Sequence, residues 1–109
     1  MKRDKETWLI DLREACEHIQ QFIGDLSAVE YSDNLIVKRA VEREFEIIGE
    51  ILRRIRDEMP NLFEKIPSAK DIIGFRNVLS HGYDVVSDKT VYDIAEYDLP
   101  IFYDMIKRL

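Results

Sequence analysis

Asp71-Ile72-Ile73-Gly74-Phe75-Arg76-Asn77-Val78-Leu79-Ser80-His81-Gly82-Tyr83 decides how the rest of the chain is read. The stretch starts as an apolar helix and ends in groups able to handle a phosphate and a proton. At about 100° per residue, Phe75, Leu79, Ile72 and Val78 share one arc, which is expected to be buried. Asn77 and His81, four apart, neighbour each other on the opposite arc. The same arithmetic turns Arg76 about 140° away from His81, to the edge of the apolar stripe. Gly82 is expected to close the helix in a left-handed turn, leaving His81 in the last turn and Tyr83 just beyond it. A helix C-terminus favours a cation, so the local backbone field helps a protonated imidazole.

Working back from this stretch, its helix is expected to start near Ser68, after a short turn or helix from Asn61 to Ile66 that lies between two prolines. A second helix precedes it, with Asp33 as candidate N-cap and Val37, Val41, Ile48, Ile51, Leu52 and Ile55 on one side, until Pro60 forbids it. Gly49 in its middle costs about 1 kcal/mol against alanine and reads as a close helix crossing rather than a ligand contact. A first helix, from about Asp4 to Asp25, carries the seam Trp8, Leu12, Ala15, Ile19, Phe22 and Leu26. Ser27-Ala28-Val29-Glu30 has the form of a capping box, so a short helical turn follows.

Working forward, Asp84-Val85-Val86 reads as a loop, and Ser87 or Asp88 as the cap of a fourth helix. That helix buries Val91, Ile94, Ala95, Phe102, Met105 and Ile106, and Pro100 is expected to kink it near Glu96. No strand pattern, internal repeat or low-complexity linker is present. Short connections favour antiparallel neighbours, so the expected fold is all-α, without β-sheet: an up-and-down four-helix bundle with a short extra helix, one domain over residues 1–109.

A chain of 109 residues builds a single core. Hydrophobic residues at 46% and charged ones at 35% describe a globular chain rather than a disordered one. The single Cys16 forbids an internal disulfide and fits a reducing cytoplasm. No apolar run approaches the roughly 18 residues that span a bilayer, and Met1 to Glu6 leads into an amphipathic helix rather than a signal peptide. A cytoplasmic protein without membrane association is expected. The net charge of −6 argues against a broad nucleic-acid-binding face, so any RNA contact must be local, and the acidity suits a basic protein partner. The one concentration of base is Arg53, Arg54 and Arg56, which reads as a solvated face before an RNA track.

Arg76, His81 and Tyr83 together spell R-x-x-x-x-H-x-Y. The motif resembles the signature of the HEPN superfamily, specifically its HepT-like toxins, the small partners of minimal nucleotidyltransferase (MNT) antitoxins. Arg39-Ala40-Val41-Glu42-Arg43-Glu44-Phe45-Glu46-Ile47-Ile48-Gly49-Glu50 is similar to the second helix of that family. Phe75 to Tyr83 is similar to its third, and Glu96-Tyr97-Asp98-Leu99-Pro100 to its last, so the likeness covers nearly the whole chain. A tryptophan often found just before the third helix is replaced here by the small or polar residues of Pro67-Ser68-Ala69-Lys70, which bears on packing rather than chemistry.

The resemblance implies a metal-independent endoribonuclease acting on mRNA or tRNA and leaving a 2′,3′-cyclic phosphate. It further implies that Tyr83 accepts AMP from an MNT-type nucleotidyltransferase antitoxin, which silences the enzyme. The residues suit that chemistry. Cutting RNA without a metal needs a base for the 2′-OH proton, an acid for the leaving 5′-oxygen and a cation on the phosphorane. His81 titrates near neutrality and serves as base or acid; Arg76 offers a bidentate fork to the phosphate. These two are the expected catalytic residues. Asn77 and Ser80 orient oxygens or the imidazole, and Glu46 is expected to face the cleft and hold Arg76. One imidazole cannot be base and acid at once, and Arg76 diverges from His81. A two-fold homodimer pairing two copies of this helix resolves both difficulties, and HEPN proteins are described as such dimers.

No cofactor and no metal are expected. Glu42, Glu46 and Glu50 line one helix face, but no histidine shares it, so they read as a solvated or ion-paired stripe. His18 reads as a surface or packing residue and Cys16 as a small core group. The competing reading is structural: Arg76 pairs with an acid of the second helix, His81 bonds a loop carbonyl, and Tyr83 packs on the bundle's end. The chain would then be a non-catalytic helical subunit that docks a nucleotidyltransferase and helps shape its nucleotide pocket.

Overall fold

Side-chain acceptors placed by the sequence start most of the helices. The computed structural model describes residues 3–82 and 86–109, and every regular element among them is helical. Helix α1 (Lys5–Ile23) begins at Asp4, whose carboxylate accepts from the Thr7 N–H and hydroxyl at 2.8 Å, and ends at Gly24 with φ 51°. The Ser27–Glu30 capping box is formed and opens α2 (Ala28–Ser32). Helix α3 (Leu35–Glu58) is capped by Asn34, not by Asp33 as expected. Asp33 is still in the helical region and closes α2, so the chain needs one more residue to turn before a side chain can reach the next free N–H.

Pro60 stops α3 and opens the four-residue α4 (Pro60–Phe63) at its first position, where a missing N–H costs nothing. Helix α5 (Ala69–His81) follows, then α6 (Asp88–Asp93), capped by Ser87. Between α6 and α7 (Leu99–Lys107) the backbone widens into a π-helical stretch, Ile94–Asp98. Pro100 lacks the N–H that would serve the Glu96 carbonyl and would crowd it with its ring. The ladder relaxes one residue earlier, where the Leu99 N–H reaches back to Ile94. The expected break near Glu96 thus takes the form of a π-bulge, and the helix continues through it.

Four long units make the bundle: α1, α3, α5 and the composite of α6 with α7. Helix α3 is central, packing against α1 on one flank and α5 on the other, while α7 closes onto α1. Two short helices, α2 and α4, accompany them, at the two places where the sequence offers a short turn or helix. Trp8, Leu12, Ile19, Val41, Ile48, Leu52 and Ile106 are among the fully enclosed side chains. Phe22, expected in the seam, is 39% exposed and stacks on the His18 ring at 6.1 Å; Ile23 takes the core position, one residue on. Leu9, Phe45 and Leu99 are core residues outside the expected sets. His18 lies on the surface, as expected, bonded to Glu44 at 2.8 Å.

The far end of the bundle is tied by polar contacts. Asp88 accepts from the Ser32 hydroxyl at 2.8 Å and the Lys38 ammonium at 3.1 Å, and the Tyr92 hydroxyl donates to the Leu26 carbonyl at 2.8 Å. These contacts fix where the chain re-enters the bundle after α5. No described helix is long and apolar enough to cross a membrane.

Cys16 is wholly enclosed, and burial away from water pushes its thiol up to about 12. The thiolate is the reactive form, so the native protein is expected to resist iodoacetamide at pH 8 and to label only when denatured. Rapid labelling of the folded chain, followed by mass spectrometry, would contradict this packing.

Candidate active site

The site is built on the crossing of α3 and α5. Ala69, Ile73, Arg76 and Ser80 recur at four, three and four residues, and this row of α5 faces α3. Gly49 makes the approach possible. A Cβ placed on Gly49 would collide with the Arg76 Cβ and stand 2.6 Å from its Cγ, so the aliphatic stem of Arg76 occupies the space a side chain would fill. The close helix crossing expected at this glycine is therefore present, and Arg76 is the residue that crosses.

The consequence is a rotation of α5 relative to the sequence expectation. Arg76 faces α3 rather than lying at the edge of the apolar stripe, with 27% of its side chain exposed. Val78, expected on the buried arc, is 43% exposed. Phe75, Ile72 and Leu79 are partly buried on the flank, Phe75 edge-on to Phe45 at 5.2 Å between centroids. The gap above Gly49 accepts a helix only where a slim stem can enter it, and that requirement outweighs centring the apolar arc.

Polar contacts run down the crossing in antiparallel register. Arg76 Nη2 donates to Glu50 Oε2 at 3.5 Å, and one turn further along α5 the Ser80 hydroxyl donates to Glu46 Oε2 at 3.1 Å. Glu50, not Glu46 as expected, is the partner of Arg76; Glu46 holds Ser80 instead. Glu50 also receives Arg53 at 2.7 Å. The Arg53 hydrogen bond, aided by the charges of Arg53, Arg76 and Arg54, holds its carboxyl below the ordinary glutamate range despite some burial. Glu42 pairs with Arg39 at 3.1 Å, so the glutamate stripe is largely engaged by polar partners, as expected. Among the described residues no cluster of three or more His, Cys, Asp or Glu could hold a metal ion.

Arg76 is only partly engaged. Nη1 donates to Asn77 Oδ1 at 3.2 Å, the bond to Glu50 is long, and Nε–H is buried with no acceptor. The guanidinium opens on a depression of about 430 Å³ that also reaches Glu46, Glu50 and Arg53. A larger groove of about 530 Å³ between α3, α5 and α7 is lined mainly by apolar side chains such as Phe45, Phe75, Leu99 and Phe102, and touches neither Arg76 nor His81.

Asn77 and His81 are exposed on the outer side of α5, one turn apart as the spacing requires. His81 occupies the last turn, and among the described residues it has no hydrogen-bond or ion-pair partner. Gly82 closes the helix with φ −122° and ψ 46°, its N–H on the Val78 carbonyl at 2.7 Å, so the left-handed turn expected there is not used. Tyr83 lies outside the described residues. The structure thus joins Arg76, Ser80, Glu46 and Glu50 in one crossing and leaves His81 and Asn77 facing outward. The pairing of Arg76 with an acid of the second helix, part of the competing reading, is present, but the acid is Glu50, where the sequence pointed to Glu46. The signal for Glu50 was its place beside Gly49: a glycine that marks a crossing also marks its neighbours as residues of that crossing.

Comparison with known families places this all-helical bundle in the HEPN superfamily. Within it, the chain belongs to the HepT-like family: the family profile described as "Ribonuclease HepT-like" matches residues 12–109. It is similar to "Putative RNase MJ1380" of Methanocaldococcus jannaschii, 32% identical over 99 residues that cover 91% of this chain and 90% of that one. It is also similar to "Probable ribonuclease HepT" of Thermococcus cleftensis, 28% identical over 109 residues, covering 100% of this chain and 98% of that one. No solved structure matches it.

Glu50→Gln removes one surface charge and is expected to cost no more than about 1 kcal/mol at pH 7, because the pair is partly exposed. The depressed carboxyl stabilises the fold above its unfolded-state value, about 4.3, and that contribution is lost as pH falls through the lower folded-state value. Urea unfolding of the two proteins should therefore converge in acid; a gap that persists there would place the stabilising role of Glu50 elsewhere.

Proposed function

We propose that this protein is the ribonuclease toxin of a HEPN/MNT toxin–antitoxin pair, cutting mRNA or tRNA without a metal at a site built from Arg76 and His81. The observation that carries the reading is the half-engaged Arg76 guanidinium, fixed over Gly49, in a chain of the ribonuclease HepT-like family. In the cleavage step an imidazole takes the 2′-OH proton, the 2′-oxygen attacks phosphorus, and the 5′-oxygen departs with a proton from an acid. The products are a 2′,3′-cyclic phosphate and a free 5′-hydroxyl. Arg76 neutralises the charge that grows on the non-bridging oxygens.

Arg76 turns into α3 while His81 faces out, so one copy presents its two groups in different directions. A two-fold homodimer joined along the edge of α5 that carries Asn77, which lies between the Arg76 and His81 directions, brings the His81 of one copy toward the Arg76 of the other and supplies a second imidazole as the acid. Gly74 has open space around it, and Val78 and Asn77 are exposed on that side, so a mating helix has room to approach. Ser80 and Asn77 orient the reacting oxygens, and Glu46 holds Ser80.

Tyr83, two residues past His81, is the proposed acceptor of AMP from an MNT-type nucleotidyltransferase antitoxin. Each transfer joins the tyrosine oxygen to the α-phosphorus of ATP and releases pyrophosphate. The added charge and bulk stand where the RNA phosphate must lie and silence the enzyme.

RNA cleavage in EDTA tests the reading. The wild type is expected to cut, while His81→Ala and Arg76→Ala lose roughly 10²–10⁴-fold with an unchanged circular-dichroism spectrum. Co-expression with the cognate transferase is expected to add about 329 Da per AMP to the wild type and nothing to Tyr83→Phe. Unchanged growth arrest by the His81 and Arg76 variants would remove the nuclease assignment and leave a non-catalytic subunit that docks the transferase.

A further inference from the structure

The depression beside Arg76 contains more positive charge than the site described so far uses. It is lined by four arginines (Arg43, Arg53, Arg54 and Arg76) against two glutamates (Glu46 and Glu50), in a protein whose net charge is −6. Arg53 is committed to Glu50. Arg43 and Arg54 have no carboxylate within ion-pair distance among the described residues. Arg54 instead stacks its guanidinium over the Trp8 ring at 5.3 Å, which steadies it without neutralising it. Arg56, the third base of the same cluster in sequence, pairs with Asp57 at 3.2 Å and does not line the depression.

The order along α3 gives these charges a direction. Arg43 and Arg54 are eleven residues apart, about 16 Å along the helix axis. Arg76 reaches the same helix between them, over Gly49. On the α1 side of the same stretch of α3 the charge is mixed: the adjoining depression of about 300 Å³ is lined by Asp11, Glu14 and Glu44 together with Arg3, His18 and Arg54, and Arg3 pairs with Asp11 and His18 with Glu44. The unpaired arginines thus lie as a strip on the Arg76 side of α3, with the half-engaged guanidinium between them.

We propose that Arg43 and Arg54 each hold a backbone phosphate of a single RNA strand, flanking the phosphate at Arg76, so that the substrate lies along α3. This rests on the ribonuclease reading above. The strip supplies what an acidic protein otherwise lacks, a local attraction for a polyanion, and it acts through phosphates, so it carries no base specificity. Arg43 and Arg54 bind and position substrate; the reacting atoms remain with Arg76 and His81.

Fluorescence anisotropy with a labelled 2′-O-methyl oligoribonucleotide tests the proposal, because that probe lacks the 2′-OH and cannot be cut. Titrated over salt, Arg43→Gln and Arg54→Gln are each expected to weaken binding several-fold and to lower the slope of log K against log salt by about 0.7. Arg56→Gln is expected to leave affinity and slope unchanged, and melting curves check that each variant is folded. Wild-type affinity and slope in both Arg43→Gln and Arg54→Gln would overturn the proposal. So would wild-type oligonucleotide binding by variants that lose the partner transferase, which would assign the strip to protein docking. The two readings fail separately. A wild type that binds through these arginines but cuts no RNA loses the nuclease reading and keeps the strip. A wild type that cuts RNA, with variants that bind normally, does the reverse.

Discussion

The approach of α5 to α3 over Gly49 is the constraint on which the rest of the site depends. A glycine in the middle of a 24-residue helix costs about 1 kcal/mol of helix propensity. What that cost secures is a slot the width of an alkyl chain, and the stem of Arg76 fills it. Once the stem is seated, the rotation of α5 is set. Ser80 comes to Glu46, Glu50 receives the guanidinium, and Asn77, Val78 and His81 are turned to the surface. The placement of a cation, an imidazole and an unpartnered helix face thus follows from one missing side chain.

The electrostatics follow from the same arrangement. A buried arginine must be paired, and a fully paired one is of little use to a substrate. Here the stem is packed while the head makes one long bond to Glu50, one bond to its neighbour Asn77, and none through Nε. Glu50 is shared with Arg53, which binds it more closely, so Arg76 is steadied without being neutralised. Catalytic cations are typically positioned groups whose charge is still available when negative charge develops.

Much of the architecture was legible because it is encoded locally. The Asp4 cap, the Ser27–Glu30 box, the stop at Pro60 and the Ser87 cap each depend on a few adjacent residues, and each is where the sequence puts it. Pro100 foretold a distortion near Glu96, though not that a π-bulge would absorb it. Asp33 and Asn34 could not be told apart by type, because both cap well and only the preceding turn decides between them. The close helix crossing at Gly49 was legible as well. The pairing of Arg76 with Glu50 rather than Glu46 was not. Those glutamates are one helical turn apart on the same face, so periodicity places both correctly and cannot choose between them. Periodicity fixes the phase of a helix; the slide of one helix along another is fixed by packing, here by Gly49. The exposure of Val78 has the same origin, since the slot at Gly49 rotates the helix away from its apolar centre.

The crossing can be tested without reference to activity by a double-mutant cycle in urea unfolding, pairing Gly49→Ala with Arg76→Gly. Propensity alone predicts that alanine at position 49 stabilises the chain by about 1 kcal/mol in either background. The crossing predicts that it destabilises the wild type, as overpacking does, by about 1–3 kcal/mol, and that the penalty is largely relieved once the Arg76 stem is gone. Equal effects of Gly49→Ala in both backgrounds would show that the two residues do not meet, and the placement of the site built upon them would be contradicted.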